Sequence, residues 1–270
     1  MDFSVNLAKN VMRASKILGT PDRVAFSVFG LDIMWYGLLI GIGMVLAVVL
    51  CYNRAEKHGL NKEHILDLAI YCIPAGVIGA RLYYVAFQWD AYKDDLKSIF
   101  NIREGGLAIH GGVLFGVGLG VILLVKVWKE KPMEWVDLCV PTIALAQAIG
   151  RWGNYFNQEA YGVETDLPWA IEVAGGKLVH PTFLYESLWC LALGLFLMWL
   201  EDSGKKKFTG QILCLYLILY SVERFFVEGL RTDSLMIGPL RQAQVLSLCL
   251  IAAGCVLWAI LSRRRKEPSE

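Results

Sequence analysis

The sequence predicts an all-α polytopic membrane protein with seven transmembrane helices, a small extracytoplasmic head and an N-terminal interfacial segment. Three observations carry this. The 270 residues are 56% hydrophobic and only 19% charged, with a mean hydropathy of +0.48, beyond the norm for a soluble domain. Apolar runs of about 20 residues, the length that crosses a bilayer, recur along the chain. Lysine and arginine gather in alternate connections between those runs.

The apolar runs fall at roughly 33–52, 65–87, 107–127, 135–154, 183–200, 208–228 and 241–262. One set of connections holds 13 basic residues, around Arg54, Lys126, Lys205 and Arg263, and the other set holds 9 over longer stretches. The positive-inside rule then puts the N-terminus outside the cell and the C-terminus in the cytoplasm. Residues 1–28 are expected to form an interfacial amphipathic helix, because Phe3, Leu7, Val11, Ala14 and Leu18 follow helical spacing while Lys9, Arg13 and Lys16 lie elsewhere. No apolar core ends at a small-residue cleavage site in the first 30 residues, so no cleaved leader is expected. The chain reads as one integral membrane domain with two insertions, an extracytoplasmic arm at 88–106 and a head at 155–182. The head contains Pro168, Gly175, Gly176 and Pro181 and the strand-like run 169-WAIEV-173.

Glycines every fourth residue, Gly37 and Gly41 in the first run and Gly112, Gly116 and Gly120 in the third, predict close helix crossings. The seven cysteines lie in or beside apolar runs and include no CxxC pair. They are expected to be packing residues, with no metal and no cofactor implied. No basic stripe suited to nucleic acid is present, nor a HExxH or GxSxG motif.

Chemistry is expected where charge enters the apolar runs, since an ionisable group there costs free energy that packing does not demand. The run 150-GRWGNYFNQE-159 delivers Arg151, Asn154, Asn157 and Glu159 within roughly two helical turns. Tyr220, Arg224, Glu228 and Arg231 are spaced by four, four and three, and so share one helix face. Arg81 repeats the pattern in the second run. An ion pair that only holds the bundle together would explain the sixth run taken alone. Several arginines with a planar fork suited to phosphate oxygens instead predict an anionic ligand. His110 lies among glycines in 105-GGLAIHGG-112; a lone histidine is more often a satisfied core side chain, and the other reading is that its imidazole serves as a general base. A transporter or flippase of an anionic lipid would use the same buried arginines and flexible glycines.

Taken in order, WYG at 35–37, GARLYY at 79–84, GGLAIHGG, GRWGNYFNQEAYG at 150–162, HPTFLYE at 180–186 and YSVERFFVEGLR at 220–231 resemble the bacterial prolipoprotein diacylglyceryl transferases over most of the chain. The resemblance implies transfer of a diacylglyceryl group from phosphatidylglycerol to the lipobox cysteine thiol of a preprolipoprotein, in the cell membrane, with release of glycerol phosphate. It implies catalytic roles for His110, Arg151 and Arg224. It implies substrate-binding roles for Tyr36, Arg81, Asn154, Glu159, Gly162, Tyr220, Glu228 and Arg231. Phe183 departs from the pattern, where many members are polar.

Overall fold

The computed structural model describes residues 21–102, 105–173 and 175–264. They divide into two compact units. One holds the described residues up to Ala47 and from Val136 onward, and the other is Val48–Trp135.

The first unit opens with an antiparallel hairpin of β1 (Val24–Val28) and β2 (Leu31–Met34). Its turn residues Phe29 and Gly30 both have positive φ, 51° and 76°, as the tightest hairpin turns require. This corrects the helix expected through residue 28. The β-branched and aromatic residues of 24-VAFSV-28 favour a strand, and the following Phe-Gly turn folds it back on β2. The rest of that expectation, residues 1–20, lies outside the described residues. A backbone bond from Trp35 N–H to Arg23 O (3.0 Å) closes the hairpin onto the start of α1 (Trp35–Ala55).

Helix α4 (Pro132–Asn157) begins on Pro132, whose missing N–H costs nothing at a first helical position. Helices α5 (Thr182–Asp202), α6 (Gln211–Leu230) and α7 (Gln242–Arg264) follow. Asp137 of α4 is fully buried and caps α6, accepting from Gly210 N–H (2.6 Å) and Leu213 N–H (3.2 Å), a favourable place for a carboxylate. Between α6 and α7 lies the small hairpin β5 (Met236–Ile237) and β6 (Leu240–Arg241). Glycines set the closest crossings: a Cβ on Gly194 would lie 2.7 Å from Leu145, and one on Gly254 2.8 Å from Ile218. In α1 the contact glycine is Gly43, whose Cβ would lie 3.0 Å from Ala146 O, whereas Gly37 and Gly41 face open space. The regular spacing of those two is therefore not a packing signal.

The segment between α4 and α5 contains the antiparallel pair β3 (Ile171–Val173) and β4 (Lys177–Val179). Ile171, Val173 and Val179 bury against Tyr155 and Phe183. Phe183 thus finds an aromatic setting, its ring centroid 5.2 Å from that of Trp152.

The second unit contains α2 (Glu63–Phe87) and α3 (Ile109–Ile122), the latter extended by a wide turn at Leu123–Val127. These two helices cross in backbone contact. A Cβ on Gly111 would lie 2.2 Å from Gly79 O, and Gly112 and Gly116 approach the backbone of Gly76 and Cys72. Between them the arm forms two short 3-10 turns, Trp89–Ala91 and Leu96–Phe100.

Among the described residues, five helical stretches are long and apolar enough to cross a membrane: Trp35–His58, Glu63–Phe87, Ile109–Val127, Thr182–Asp202 and Gln242–Arg263. Their outer faces carry large exposed apolar side chains such as Val45, Ile70 and Leu114, as a lipid-facing surface requires. Helices α4 and α6 are as long but carry Glu134, Asp137 and Arg151, and Glu223, Arg224 and Glu228, respectively.

Candidate functional site

In the first unit, the end of α4, the start of α5 and the C-terminal half of α6 converge on one carboxylate. Glu186, in the second turn of α5, is 1% exposed. Its Oε1 accepts a hydrogen bond from Arg224 Nη1 of α6 and lies 3.2 Å from Arg151 Nη2 of α4. Arg151 Nη2 also donates to the Tyr220 hydroxyl at 3.0 Å. Arg224 turns its other nitrogen, Nη2, to Glu228 Oε2 at 2.6 Å, across one turn of α6. Two guanidinium groups from different helices are thus held side by side, and both side chains remain partly open, 21% and 16% exposed.

The cluster continues past the end of α6. Arg231 Nε lies 3.9 Å from Glu228 Oε2, and its guanidinium donates twice to Asp233, at 3.0 and 2.9 Å. The Arg231 guanidinium beside Asp233 holds that carboxyl below the usual carboxylate range. Arg241 donates to the backbone carbonyl of Glu228. Arg231 is placed by Gly162, with which it forms a backbone bridge, while Gly162 N–H donates to His180 O at 3.0 Å. A Cβ on Gly162 would lie 2.7 Å from that of His180, so the segment threads between α5 and α6 only because this residue has no side chain.

The remaining expected residues of this unit surround the end of α4. Asn154 and Asn157 both donate to Glu159 Oε1, at 3.0 and 3.3 Å, tying the last turn to the chain reversal at Gln158 and Ala160, both of positive φ. Tyr36, in the first turn of α1, lays its ring on Gly153, where a Cβ would lie 2.6 Å from it. Chain Arg151–Gly153 therefore carries a guanidinium and an aromatic seat within three residues.

The second unit holds Arg81 and His110. Arg81 is 6% exposed, and its five N–H groups all meet backbone carbonyls of the arm. Nε donates to Ile99 O, Nη1 to Gly105 O and Gly106 O, and Nη2 to Ser98 O and Asn101 O, at 2.7 to 3.1 Å. In this arrangement none of its donors remains for a ligand. His110 is exposed in the first turn of α3, its ring centroid 6.1 Å from that of Tyr83.

Glu186, which joins the two arginines, is not among the residues that the arginine pattern singles out. An acidic residue in an apolar run, judged by the logic applied to arginine, marks a partner for those charges, and Glu186 and Glu223 both answer to it.

Its membrane-length apolar helices place the chain in the class of helical membrane proteins, here with two partly open arginines meeting on a buried carboxylate. The family model for prolipoprotein diacylglyceryl transferase matches residues 23–260. The phosphatidylglycerol–prolipoprotein diacylglyceryl transferase of Clostridioides difficile is 49% identical over 246 residues, 91% of this chain and 98% of that protein. The protein of that name from Finegoldia magna is 50% identical over 87% of this chain and 94% of its own, and one from Clostridium botulinum 43% over 90% and 98%. The chain belongs to the prolipoprotein diacylglyceryl transferase family.

Proposed function

We propose that the chain transfers the diacylglyceryl group of phosphatidylglycerol to the lipobox cysteine of preprolipoproteins. The observation that carries this reading is the meeting of Arg151 and Arg224 on Glu186 in a member of this family. A thiolate attacks the glyceryl carbon next to the phosphate. The sulfur–carbon bond forms as the carbon–oxygen bond breaks, the electron pair leaves on the phosphate oxygen, and glycerol phosphate departs. Negative charge grows on that oxygen, and two guanidiniums fixed in advance in a water-poor site stabilise it without reorganising. Glu186 and Glu228 hold the guanidiniums in place, Asn154 orients the headgroup, and Tyr36, Tyr220, Glu159, Gly162 and Arg231 complete its seat. Arg81 acts through the arm it fastens.

His110 takes the thiol proton in this scheme. A free thiol with a pKa of about 8.5 is mostly protonated at neutral pH, and an exposed imidazole flanked by glycines is open to an incoming peptide. All seven long helices cross the bacterial cell membrane, with the N-terminus outside and the C-terminus in the cytoplasm, as the lysine and arginine distribution directs.

Purified protein given labelled phosphatidylglycerol and a lipobox peptide provides the test. The expected result is a covalent mass gain on the peptide that disappears when its cysteine is serine. Lipid movement without that gain would make the protein a flippase. In the same assay His110→Gln is expected to lower the rate most at acidic and neutral pH, and near-normal rates across pH would remove His110 from the mechanism.

A further inference from the structure

Glu223 precedes Arg224 on α6 and has no part in the scheme above. It is 8% exposed, and both of its carboxylate oxygens are shut off from solvent with no hydrogen-bond partner among the described residues. The groups around it are Arg151 from α4, Glu186 and Cys190 from α5, and Arg224 on its own helix, with Tyr220 one turn earlier on the same face.

The guanidiniums of this pocket are already engaged. Arg151 faces Glu186, Arg224 faces Glu186 and Glu228, and Arg231 faces Glu228 and Asp233. An ionised Glu223 adds a further negative group with no donor to hold it, which is the costly way to bury a carboxylate. An arriving phosphodiester brings one more negative charge to Arg151 and Arg224 and opposes ionisation of Glu223 further, as like charges sharing a site do. Among these acids Glu223 alone lacks a guanidinium contact within ion-pair distance among the described residues, so it is the one that protonation costs least.

We propose that Glu223 is the proton-uptake site of this centre: when an anionic phosphodiester headgroup binds Arg151 and Arg224, the Glu223 carboxylate takes one proton from water, and returns it when the phosphate product leaves. The inference rests on the reading of Arg151 and Arg224 as the phosphate site. It makes Glu223 a positioning residue that keeps the pocket's charge constant through the cycle.

Calorimetric titration of phosphatidylglycerol into the full-length protein, repeated in buffers of different ionisation enthalpy and from mildly acidic to mildly basic pH, counts the protons directly. The wild type is expected to take up about one proton where Glu223 starts ionised, and its affinity to fall up to about tenfold per pH unit there. Glu223→Gln, which keeps shape and fixes neutrality, is expected to take up none and to hold its affinity as pH rises. Equal proton uptake in both proteins, or a variant weakened equally at every pH, would overturn the proposal and leave Glu223 a packing residue. Binding in the wild type without proton uptake or pH dependence would overturn it while leaving the arginine site intact. No binding to the wild type at any pH would overturn both readings.

Discussion

Arg81 and the Arg151–Arg224 pair are the same kind of side chain, set in helices of otherwise apolar character, yet their surroundings differ in kind. Arg81 is enclosed by five neutral carbonyl oxygens, one for each N–H group. That arrangement satisfies its geometry fully and gives an incoming anion no donor to bind. Arg151 and Arg224 face carboxylates, and each guanidinium is partly open. The energy of a carboxylate–guanidinium pair depends on competing charge, so a phosphate can share or take over these contacts. The proposed function thus assigns the ligand to the arginines whose partners are themselves charged, and a fastened loop to the one whose partners are backbone carbonyls.

The largest expected effect separates charge from fork geometry in the pair. Arg151→Lys keeps the positive charge but loses the planar guanidinium, whose Nη2 meets both Glu186 and Tyr220. Turnover of lipobox peptide is expected to fall about 10²–10³-fold, the usual cost of removing one donor aimed at developing negative charge, with helical content unchanged by circular dichroism. A rate within a factor of a few of wild type would place Arg151 outside the chemistry.

Arg81→Ala is the counterpart. It leaves five carbonyls without their donor, and several hydrogen bonds at about 1 kcal/mol each amount to roughly 3–5 kcal/mol of local stability in the arm. Faster amide exchange across residues 96–102 and new proteolysis at Lys97 would register the change, while affinity for phosphatidylglycerol shifts less than in Arg151→Lys. The reverse outcome, an arm that stays protected and a lipid site that fails, would make Arg81 a ligand arginine and dissolve the contrast with Arg151 and Arg224.

That contrast also shows what the sequence makes legible. Helix ends lie within three residues of the apolar runs, α3 being counted with its extension to Val127, because length and hydropathy are local properties that the bilayer thickness fixes. The face shared by Tyr220, Arg224 and Glu228 follows from helical period alone, and the Arg224–Glu228 pair confirms it. Partners far apart in sequence were not legible. Glu186 is 35 residues from Arg151 and 38 from Arg224, and nothing in the spacing of either motif points at it. The carbonyl cage of Arg81 was hidden for another reason: main-chain oxygens carry no sequence signature, so an arginine bound to them looks the same as one awaiting phosphate. The hairpin β1–β2 was missed because a helical apolar pattern in residues 1–18 was carried too far, over a stretch whose Val and Phe residues favour a strand.

Arg231 stands between the two cases and gives the smallest and sharpest test. It contacts Glu228 at one side and Asp233 at the other, and Asp233 is half exposed. Asp233 titrates below the ordinary carboxylate value of about 3.9 because Arg231 donates to its ionised form. A carboxyl lowered on folding stabilises the protein at every pH above that ordinary value, and the stabilisation is lost as pH falls through the lowered one. Solvent screening limits it to about 1 kcal/mol or less. Asp233→Asn is therefore expected to be slightly less stable than wild type at neutral pH, with the two unfolding midpoints converging in acid. A gap that persists unchanged into acid would mean that the asparagine disturbs packing and that the ion pair contributes nothing. If the midpoints converge while lipid affinity at neutral pH is unaltered, Arg231 behaves as Arg81 does, a residue that holds the chain. If affinity rises once Asp233 no longer competes for its guanidinium, Arg231 belongs with Arg151 and Arg224.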